Sequence, residues 1–335
     1  MRFSRELLLP CAICAASFAV ALVLAIATDV GGTKILGDYL MAGLVATYLA
    51  LLVWIIVPPL RAAEHRGLRV TSAPLAILRD RWPLLILPAL ILPVFMTGFT
   101  VAKVSFPYLT GYQWDGFWTA ADALIFNGDP WRVTHQLIGP RASSWLVWIY
   151  TAGWGVVVGM AMPLYALSAE PRRVSHAFSA LMASWFVIGV AGATIFSSAG
   201  PIFADMVDPV LGQHFAPLKA SLAQLLPAND PVLMSQHYLR EAAEHRIAAR
   251  AGGISAMPSM HLGVCTFLVI LAWRSWWRIP AILFWLAIWV GSIHFGYHYA
   301  LDGFIAAPLA WLCWRVTEPR PLAPVASFEP RLAAA

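Results

Sequence analysis

The chain has 335 residues, of which 60% are hydrophobic and only 12% are charged. Soluble domains carry about 25% charged residues, so this composition excludes an ordinary soluble protein and indicates a polytopic membrane protein. The formal net charge of +5 comes from arginines that cluster between apolar runs, and it does not indicate a nucleic-acid partner. We expect the lipid bilayer to be the main partner of the chain.

The apolar runs are long enough to cross a bilayer as helices, which takes about 20 residues each. We therefore predict an all-α fold, a transmembrane bundle of about eight spans. The first run is interpreted as a retained helix because it is too long for a signal peptide and a second run follows at once. The predicted spans are Leu7–Thr28, Ile35–Val57, Pro83–Ala102, Ser144–Leu167, His176–Phe196, Pro258–Trp273, Ile279–Ile293 and Ala300–Val316.

The arginines between the spans predict the orientation, because cytoplasmic loops are enriched in Lys and Arg. With the N-terminus inside, every cluster falls on the cytoplasmic side. We accordingly expect a bacterial inner-membrane protein with both termini in the cytoplasm and a functional site on the periplasmic face. The clustered residues are Arg61, Arg66, Arg69, Arg79, Arg81, Arg172, Arg173, Arg274, Arg278, Arg315 and Arg320.

Two long loops, 103–143 and 197–257, face outward in this topology. The first mixes aromatic residues with scattered carboxylates, which is typical of a short helix in the headgroup zone. Its acidic residues Asp115, Asp122 and Asp129 are interpreted as helix-cap or loop carboxylates. The second loop ends at the polar stretch described next, which favours a functional role.

Two short stretches, 252–261 and 294–302, concentrate the ionisable residues of an otherwise apolar region. Ionisable groups at membrane depth are expensive and are functional candidates by default. The topology puts both stretches at the same membrane face. Because His294, His298 and Asp302 are each four residues apart, they would share one face of a continuous helix.

The residue types suit phosphoryl transfer through a phosphohistidine. A carboxylate at Asp302 that holds one imidazole nitrogen of His298 makes the other a better nucleophile. His261 could donate a proton to the leaving group. The same side chains could instead bind Zn²⁺, although the sequence around His261 gives no reason for a metal. We expect neither a metal nor a cofactor.

A second group of residues is expected to contact the phosphate. The backbone amides at the predicted helix start suit an anion, and the Ser259 hydroxyl adds a donor. Arg250 and Arg246 could supply positive charge, but they fit solvated loop residues as well. His294 is assigned a supporting role beside the phosphate, and it could simply pack against aromatic neighbours.

The sequence Pro258-Ser259-Met260-His261, followed by His298 through Asp302, resembles the type 2 phosphatidic acid phosphatase superfamily. The closer likeness is to its inositol phosphorylceramide synthase-like branch, and Asp122–Pro130 is similar to a region of that branch. The resemblance implies a six-helix core, His298 as nucleophile, Asp302 as its orienting carboxylate and His261 as the acid. The chain divides accordingly into 1–82, a core at 83–318 and a disordered cytoplasmic tail at 319–335.

Two arginine motifs of the phosphatase branch are missing. Lys103 is not followed by Arg-Pro at the family's spacing, and Gly291 and Ser292 stand where the family has Ser-Arg. This departure favours a phosphotransferase, acting like an inositolphosphotransferase on a phospholipid or lipid phosphate. The alternatives left open are hydrolysis by water, a metal-dependent hydrolase, and a transporter with proton-relay histidines.

Overall fold

The computed structural model describes residues 3–31, 34–57 and 74–319. Within these ranges the chain is built from helices and contains no strand, which confirms the predicted all-α fold class. Arg61, Arg66, Arg69, Arg320 and the tail at 320–335, on which parts of the topology and domain predictions rest, lie outside the described residues. The helices are α1 Phe3–Thr28, α2 Ile35–Ile56, α3 Pro74–Thr110, α4 Asp115–Phe126, α5 Pro130–Leu137, α6 Pro140–Ser168, α7 Pro171–Ile195, α8 Pro209–His214, α9 Ala216–Leu225, α10 Pro231–Glu244, α11 Met260–Ala272, α12 Arg278–His294 and α13 Asp302–Val316.

Five of these helices, α1, α2, α3, α6 and α7, are long and apolar enough to cross a membrane among the residues described. The remaining predicted spans, α11, α12 and α13, have 13, 17 and 15 residues. At 1.5 Å per residue, 13 residues cover only about 20 Å of a hydrocarbon core of about 30 Å. Two of these short helices, α12 and α13, are joined by the turn that contains His298.

The N-terminal hairpin packs on the other spans through both its helices. α1 packs against α3 and α7, and α2 packs against α3 and α6. The opposite face of the hairpin exposes large apolar side chains such as Val23, Ile26 and Met41. Exposed apolar faces of this size are expected on helices that contact lipid. The division between residues 82 and 83 falls inside α3.

The helices α4, α5, α8, α9 and α10 cover one end of the bundle. Several start with proline, whose fixed φ suits the first helical position. Asp208 and Asp230 act as N-caps, because their carboxylates accept hydrogen bonds from the first free backbone amides of α8 and α10. Their apolar faces enclose a buried cluster around Phe295 and Tyr299. This cover packs directly on the turn between α12 and α13.

Three spans contain a π-helical turn, at Leu87–Ile91 in α3, Ile149–Gly153 in α6 and Val187–Gly192 in α7. Such turns inside α-helices are frequent at functional sites. Two of them contribute lining to the same internal cavity, through Pro88 and Tyr150. The third packs behind the lining, because a Cβ added at Gly189 would stand 2.6 Å from Phe99 and 2.8 Å from Met260, which both line the cavity.

Candidate active site

The stretch before α11 forms a turn that ends in a helix N-cap. Ser259 caps α11, with its Oγ accepting from the Leu262 amide at 3.4 Å. Gly253 has φ +90°, and a Cβ there would stand 3.0 Å from Lys103 Cγ. A side chain at this position would therefore be strained and crowded. The close approach brings Lys103 of α3 beside the turn.

The stretch from His294 to Asp302 is not the continuous helix that the four-residue spacing predicts. α12 ends at His294 and α13 begins at Asp302. Gly296 has φ +71°, which ends the helix in the way a left-handed residue commonly does. His298 therefore lies in the turn between the two helices.

The turn nevertheless pairs His298 with Asp302. The Nδ1 atom of His298 lies 2.9 Å from Asp302 Oδ2 and 2.6 Å from the Ala256 carbonyl oxygen, which is the better-aligned acceptor. Asp302 is fully buried, and its Oδ1 accepts the Ser259 backbone amide. Two acceptors around Nδ1 keep the proton there, so the lone pair is on Nε2.

The Nε2 atom of His298 lies 3.3 Å from Ser259 Oγ, and both His298 and His261 line the internal cavity. The two imidazole rings have centroids 5.7 Å apart. His261 stacks on Tyr150 at 4.9 Å and is tilted against Trp154 at 4.7 Å. Aromatic faces thus fix the orientation of the second histidine opposite the first.

The cavity has a volume of about 550 Å³, which is within the usual range of about 300–1,000 Å³ for small-molecule sites. One end is polar, with His261, His298 and Lys103. Among the described residues that line it, Lys103 is the only lysine or arginine. The sequence motifs did not assign Lys103 to the site, and the signal that marks it is its position as a lone cation in an apolar span.

Three residues assigned to the phosphate do not reach the cavity. His294 is fully buried in a separate polar cluster, with Nε2 3.0 Å from Ser143 Oγ and Nδ1 3.3 Å from Thr134 Oγ1. Arg246 is exposed, donates to the Thr28 carbonyl and lies over the Tyr108 ring. Arg250 is exposed as well. Of that set, only Ser259 lies beside His298.

Two carboxylates of α4 hold the backbone around the site, a role that the sequence did not indicate. Asp122 accepts the Ala300 and Leu301 amides at 2.7 and 3.0 Å. Asp115 accepts the Ala199 and Gly200 amides at 2.9 and 2.8 Å. Burial raises the pKa of the Asp122 carboxyl to about 6, the two amides oppose that rise, and Asp302 and Asp129 add to it.

No group of three or more His, Cys, Asp or Glu side chains is placed to hold a metal ion in the described ranges. The histidines instead face each other across a cavity that combines a cation, a helix N-terminus and an apolar remainder. The arrangement can hold a phosphate ester, supply a nucleophile and supply an acid.

Comparison with known proteins gives one match. The sequence model of the PAP2 superfamily, the type 2 phosphatidic acid phosphatases, matches residues 118–316. No curated protein and no solved structure matches the chain. The match does not favour the transporter or the metal-dependent hydrolase, and it implies membrane embedding and a lipid-phosphate substrate. Because the match covers more than half of the chain and includes His261, His298 and Asp302, this membrane protein belongs to the PAP2 superfamily and is a phosphatase-like enzyme.

Proposed function

We propose that this protein transfers a phospho-group from a lipid to an alcohol or to water through phospho-His298. The observation that carries the proposal is the Nε2 atom of His298, which has its lone pair beside Ser259 in a cavity shared with His261. Nε2 attacks the phosphorus and the bond to the lipid alcohol breaks. The electron pair of that bond leaves on the alcohol oxygen, which takes a proton from a ring nitrogen of His261.

The second half-reaction restores the enzyme. His261 takes a proton from water or from an alcohol acceptor, whose oxygen attacks the phosphorus and releases His298 with its lone pair. Lys103, the Ser259 hydroxyl and the free backbone amides at the start of α11 hold the phosphate oxygens. Among the residues assigned to phosphate binding, this role stays with Ser259, while Lys103 takes the part expected of Arg246 and Arg250.

The test of the nucleophile is His298→Ala, assayed for release or transfer of phospho-groups from a panel of lipid phosphates in detergent. We expect a loss of about a thousand-fold or more. His237→Ala is the matched control, since the His237 side chain is 71% exposed on α10. Wild-type enzyme quenched in turnover should also carry an acid-labile phosphate that the variant lacks. Retained activity in His298→Ala would overturn the mechanism.

The phosphate clamp is tested at Lys103. We expect Lys103→Met to raise KM for lipid phosphates by about ten-fold or more, and Lys103→Arg to recover part of it, because the charge is retained. Lys34→Met is the control, since Lys34 is exposed at the start of α2. An unchanged KM in Lys103→Met would remove Lys103 from the site.

The acceptor defines the finer activity. The missing arginine motifs support an inositolphosphotransferase-like reaction, in which an alcohol replaces water in the second half. The assay compares phosphatidate with phosphatidylinositol as donor, with and without ceramide as acceptor. We expect transfer from phosphatidylinositol that depends on the acceptor. Release of phosphate from phosphatidate at an equal rate with and without acceptor would instead identify a plain phosphatase.

The proposed orientation puts the site on the periplasmic face of a bacterial inner membrane and both termini in the cytoplasm. Single cysteines are introduced by His237→Cys and Arg66→Cys in a chain without its native cysteines. An impermeant reagent added to intact cells should label position 237 and leave position 66 unlabelled. Labelling at position 66 alone would reverse the orientation.

A further inference from the structure

The hairpin of α1 and α2 lies outside the region that matches the family, yet it is joined to the site. The Ala248 amide donates to the Gly31 carbonyl at 2.8 Å, and Arg246 donates to the Thr28 carbonyl at 3.2 Å. These bonds attach the turn between α1 and α2 to the segment that leads into Gly253. The N-terminal helices therefore border the polar end of the cavity.

Tyr39 of α2 makes the connection more direct. Its hydroxyl oxygen accepts the Ala251 amide at 3.0 Å and lies 2.8 Å from Thr100 Oγ1. Thr100 is on α3, one turn before Lys103. One side chain of α2 therefore touches both the loop beside the phosphate site and the helix that carries its cation.

The cavity continues from Tyr39 along α2, away from the polar end. Ala42, Gly43 and Ala46 line it there, and Val158 and Gly159 of α6 line it beside them. A Cβ added at Gly159 would touch Ala46 Cβ at 3.8 Å, so α2 and α6 pack closely at this point. Small residues on both helices thus border this part of the cavity at the place where the two helices meet. Ala46 is about 10 Å further along α2 than Tyr39.

We propose that this apolar arm, bounded by α2, α3 and α6, binds the hydrocarbon chain of the lipid phosphate, and that α2 determines which chains fit. The inference rests on the proposed function, because the phosphate must occupy the polar end. Its basis is continuity: one cavity joins Lys103 and His298 to a wall of small apolar residues. Hydrocarbon placed against such a wall is removed from water, while a charged headgroup would be desolvated without a partner.

The test fills the arm from α2 and, separately, from α6. Ala46→Phe and Gly159→Leu are assayed on monoacylglycerol phosphates of increasing chain length and on glycerol 3-phosphate. We expect the ratio of kcat/KM for the longest chain over glycerol 3-phosphate to fall at least about ten-fold in both variants, since the arm is blocked. Val45→Phe is the matched control, because Val45 neighbours Ala46 but is 47% exposed on the outer face of α2. An unchanged ratio in the two variants would overturn the proposal.

A binding measurement separates this proposal from the proposed function. A long-chain alkyl phosphate with a photoreactive group near the chain end is crosslinked to the full-length protein and to His298→Ala. We expect crosslinks to α2 and α6 in both proteins, and their loss in Ala46→Phe. If His298→Ala keeps its activity but the crosslinks remain, the phosphohistidine mechanism fails and the chain site stands. Crosslinks confined to other helices would refute the chain site.

A separate observation concerns α4, whose Asp115 and Asp122 are seven residues apart on one face. Asp122 accepts two consecutive amides, Ala300 and Leu301, from the turn between His298 and Asp302. The hydroxyl of Tyr299, in the same turn, donates to Asp115 Oδ1 at 2.7 Å. Three consecutive residues of the turn are thus fixed by two carboxylates of one helix.

We infer that Asp115 and Asp122 are positioning residues, which set the distance between His298 and Asp302 through the backbone of the turn. Neither carboxylate lines the large cavity, so neither is expected to touch the phosphate. An amide in place of Asp122 offers one acceptor oxygen where two N–H groups need one each. The turn would lose one of its two anchors, and His298 would be less precisely placed.

The test is a split between kcat and KM. Asp122→Asn should lower kcat about ten-fold or more and leave KM within about two-fold, while Asp122→Glu should recover part of kcat. Asp129→Asn is the control, because Asp129 binds Arg132 and His214 and not the turn. Equal kcat in Asp122→Asn and wild type would overturn the inference. So would a loss of the same size in Asp129→Asn at equal thermal stability.

Discussion

His298 and His294 are four residues apart, and the structure gives them opposite surroundings. His298 faces the cavity with Nε2 available beside Ser259. His294 has both ring nitrogens within hydrogen-bond distance of hydroxyls and no exposed surface. The comparison teaches that the spacing of histidines in a motif does not identify the catalytic one. A histidine can act as nucleophile only if one of its ring nitrogens is left open to the cavity.

The sealed cluster around His294 has an evident structural purpose. His135 of α5 binds the His294 carbonyl through Nε2 at 2.8 Å and Ser221 of α9 through Nδ1 at 2.7 Å. Ser143 joins from α6. Burial lowers the pKa of His135, which the carbonyl of His294 partly offsets. The cluster ties α5 and α9 of the cover, and the start of α6, to the end of α12, while His298 and its neighbours are left open to the cavity.

Replacing His261 is expected to give the largest effect among the partners of His298. His261→Ala should lower turnover of lipid phosphates by about a hundred- to ten-thousand-fold, because the leaving alcohol loses its proton donor. The loss should be much smaller with para-nitrophenyl phosphate, whose leaving group departs without a proton. Initial rates on both esters provide the measurement, and equal losses on the two would rule out His261 as the acid.

The next effect is expected at Asp302. Asp302→Asn keeps the shape of the side chain but removes the negative charge beside His298, so we expect a loss of about a hundred-fold in kcat. The measurement is single-turnover formation of the phosphoenzyme. A fall in KM with unchanged kcat would contradict an orienting role. His294→Asn, made in parallel, should form the phosphoenzyme at nearly the wild-type rate.

The sealed cluster should respond in stability. His294→Ala removes the buried imidazole that Ser143 and Thr134 contact, although each hydroxyl keeps a backbone carbonyl acceptor. The lost hydrogen bonds cost about 1–3 kcal/mol. We expect a lower melting temperature in detergent and a kcat per folded molecule within about three-fold of wild type. A loss of kcat of a hundred-fold at an unchanged melting temperature would break the comparison, because His294 would then belong with His298.

The smallest effect is expected at an ion-pair cluster on the surface. Burial raises the pKa of Asp205, but Arg240 at 2.8 Å and Lys219 at 2.6 Å lower it by more, so it lies below its usual value. A carboxyl of lowered pKa stabilises the fold above its unfolded pKa, and this stabilisation is lost as the pH falls through the folded pKa. Asp205→Asn should cost about 0.5–1 kcal/mol at pH 7, since partly exposed pairs contribute little.

The measurement is the difference in melting temperature between Asp205→Asn and wild type across pH. The difference should be present at neutral pH and vanish in acid, where Asp205 is protonated in both the folded and unfolded states. A difference that persists unchanged in acid would show that packing, and not charge, is responsible.

The sequence predicted the first two spans closely because hydropathy depends on local composition, whereas α3 extends eight or more residues beyond its predicted bounds at each end. α1 begins before the predicted Leu7 and ends at the same Thr28, and α2 ends one residue before Val57. The pairing of His298 with Asp302 was also predictable, since four residues bring them together in a helix or in this turn. The end of α12 was harder to predict, because it depends on the left-handed φ of Gly296.

What the sequence did not predict depends on helix rotation and long-range packing. Lys103 reaches the site only because α3 presents that face to Gly253, and Tyr39 only because α2 crosses beside it. Asp122 is separated from the turn it holds by about 180 residues along the chain. No local sequence pattern predicts such contacts. The His298–Asp302 pair and the spans are predictable because each depends on a short segment of sequence.

The carbonyl of Ala256 has a consequence for how this enzyme tolerates change. This main-chain oxygen accepts a hydrogen bond from Nδ1 of His298. A substitution at position 256 removes that acceptor only if it moves the backbone. Mutations at Asp302 can therefore remove a negative charge while the proton of His298 stays on Nδ1. Lineages that drift at position 302 should pass through slow but still competent intermediates, which makes this half of the site more evolvable than a dyad held by side chains alone.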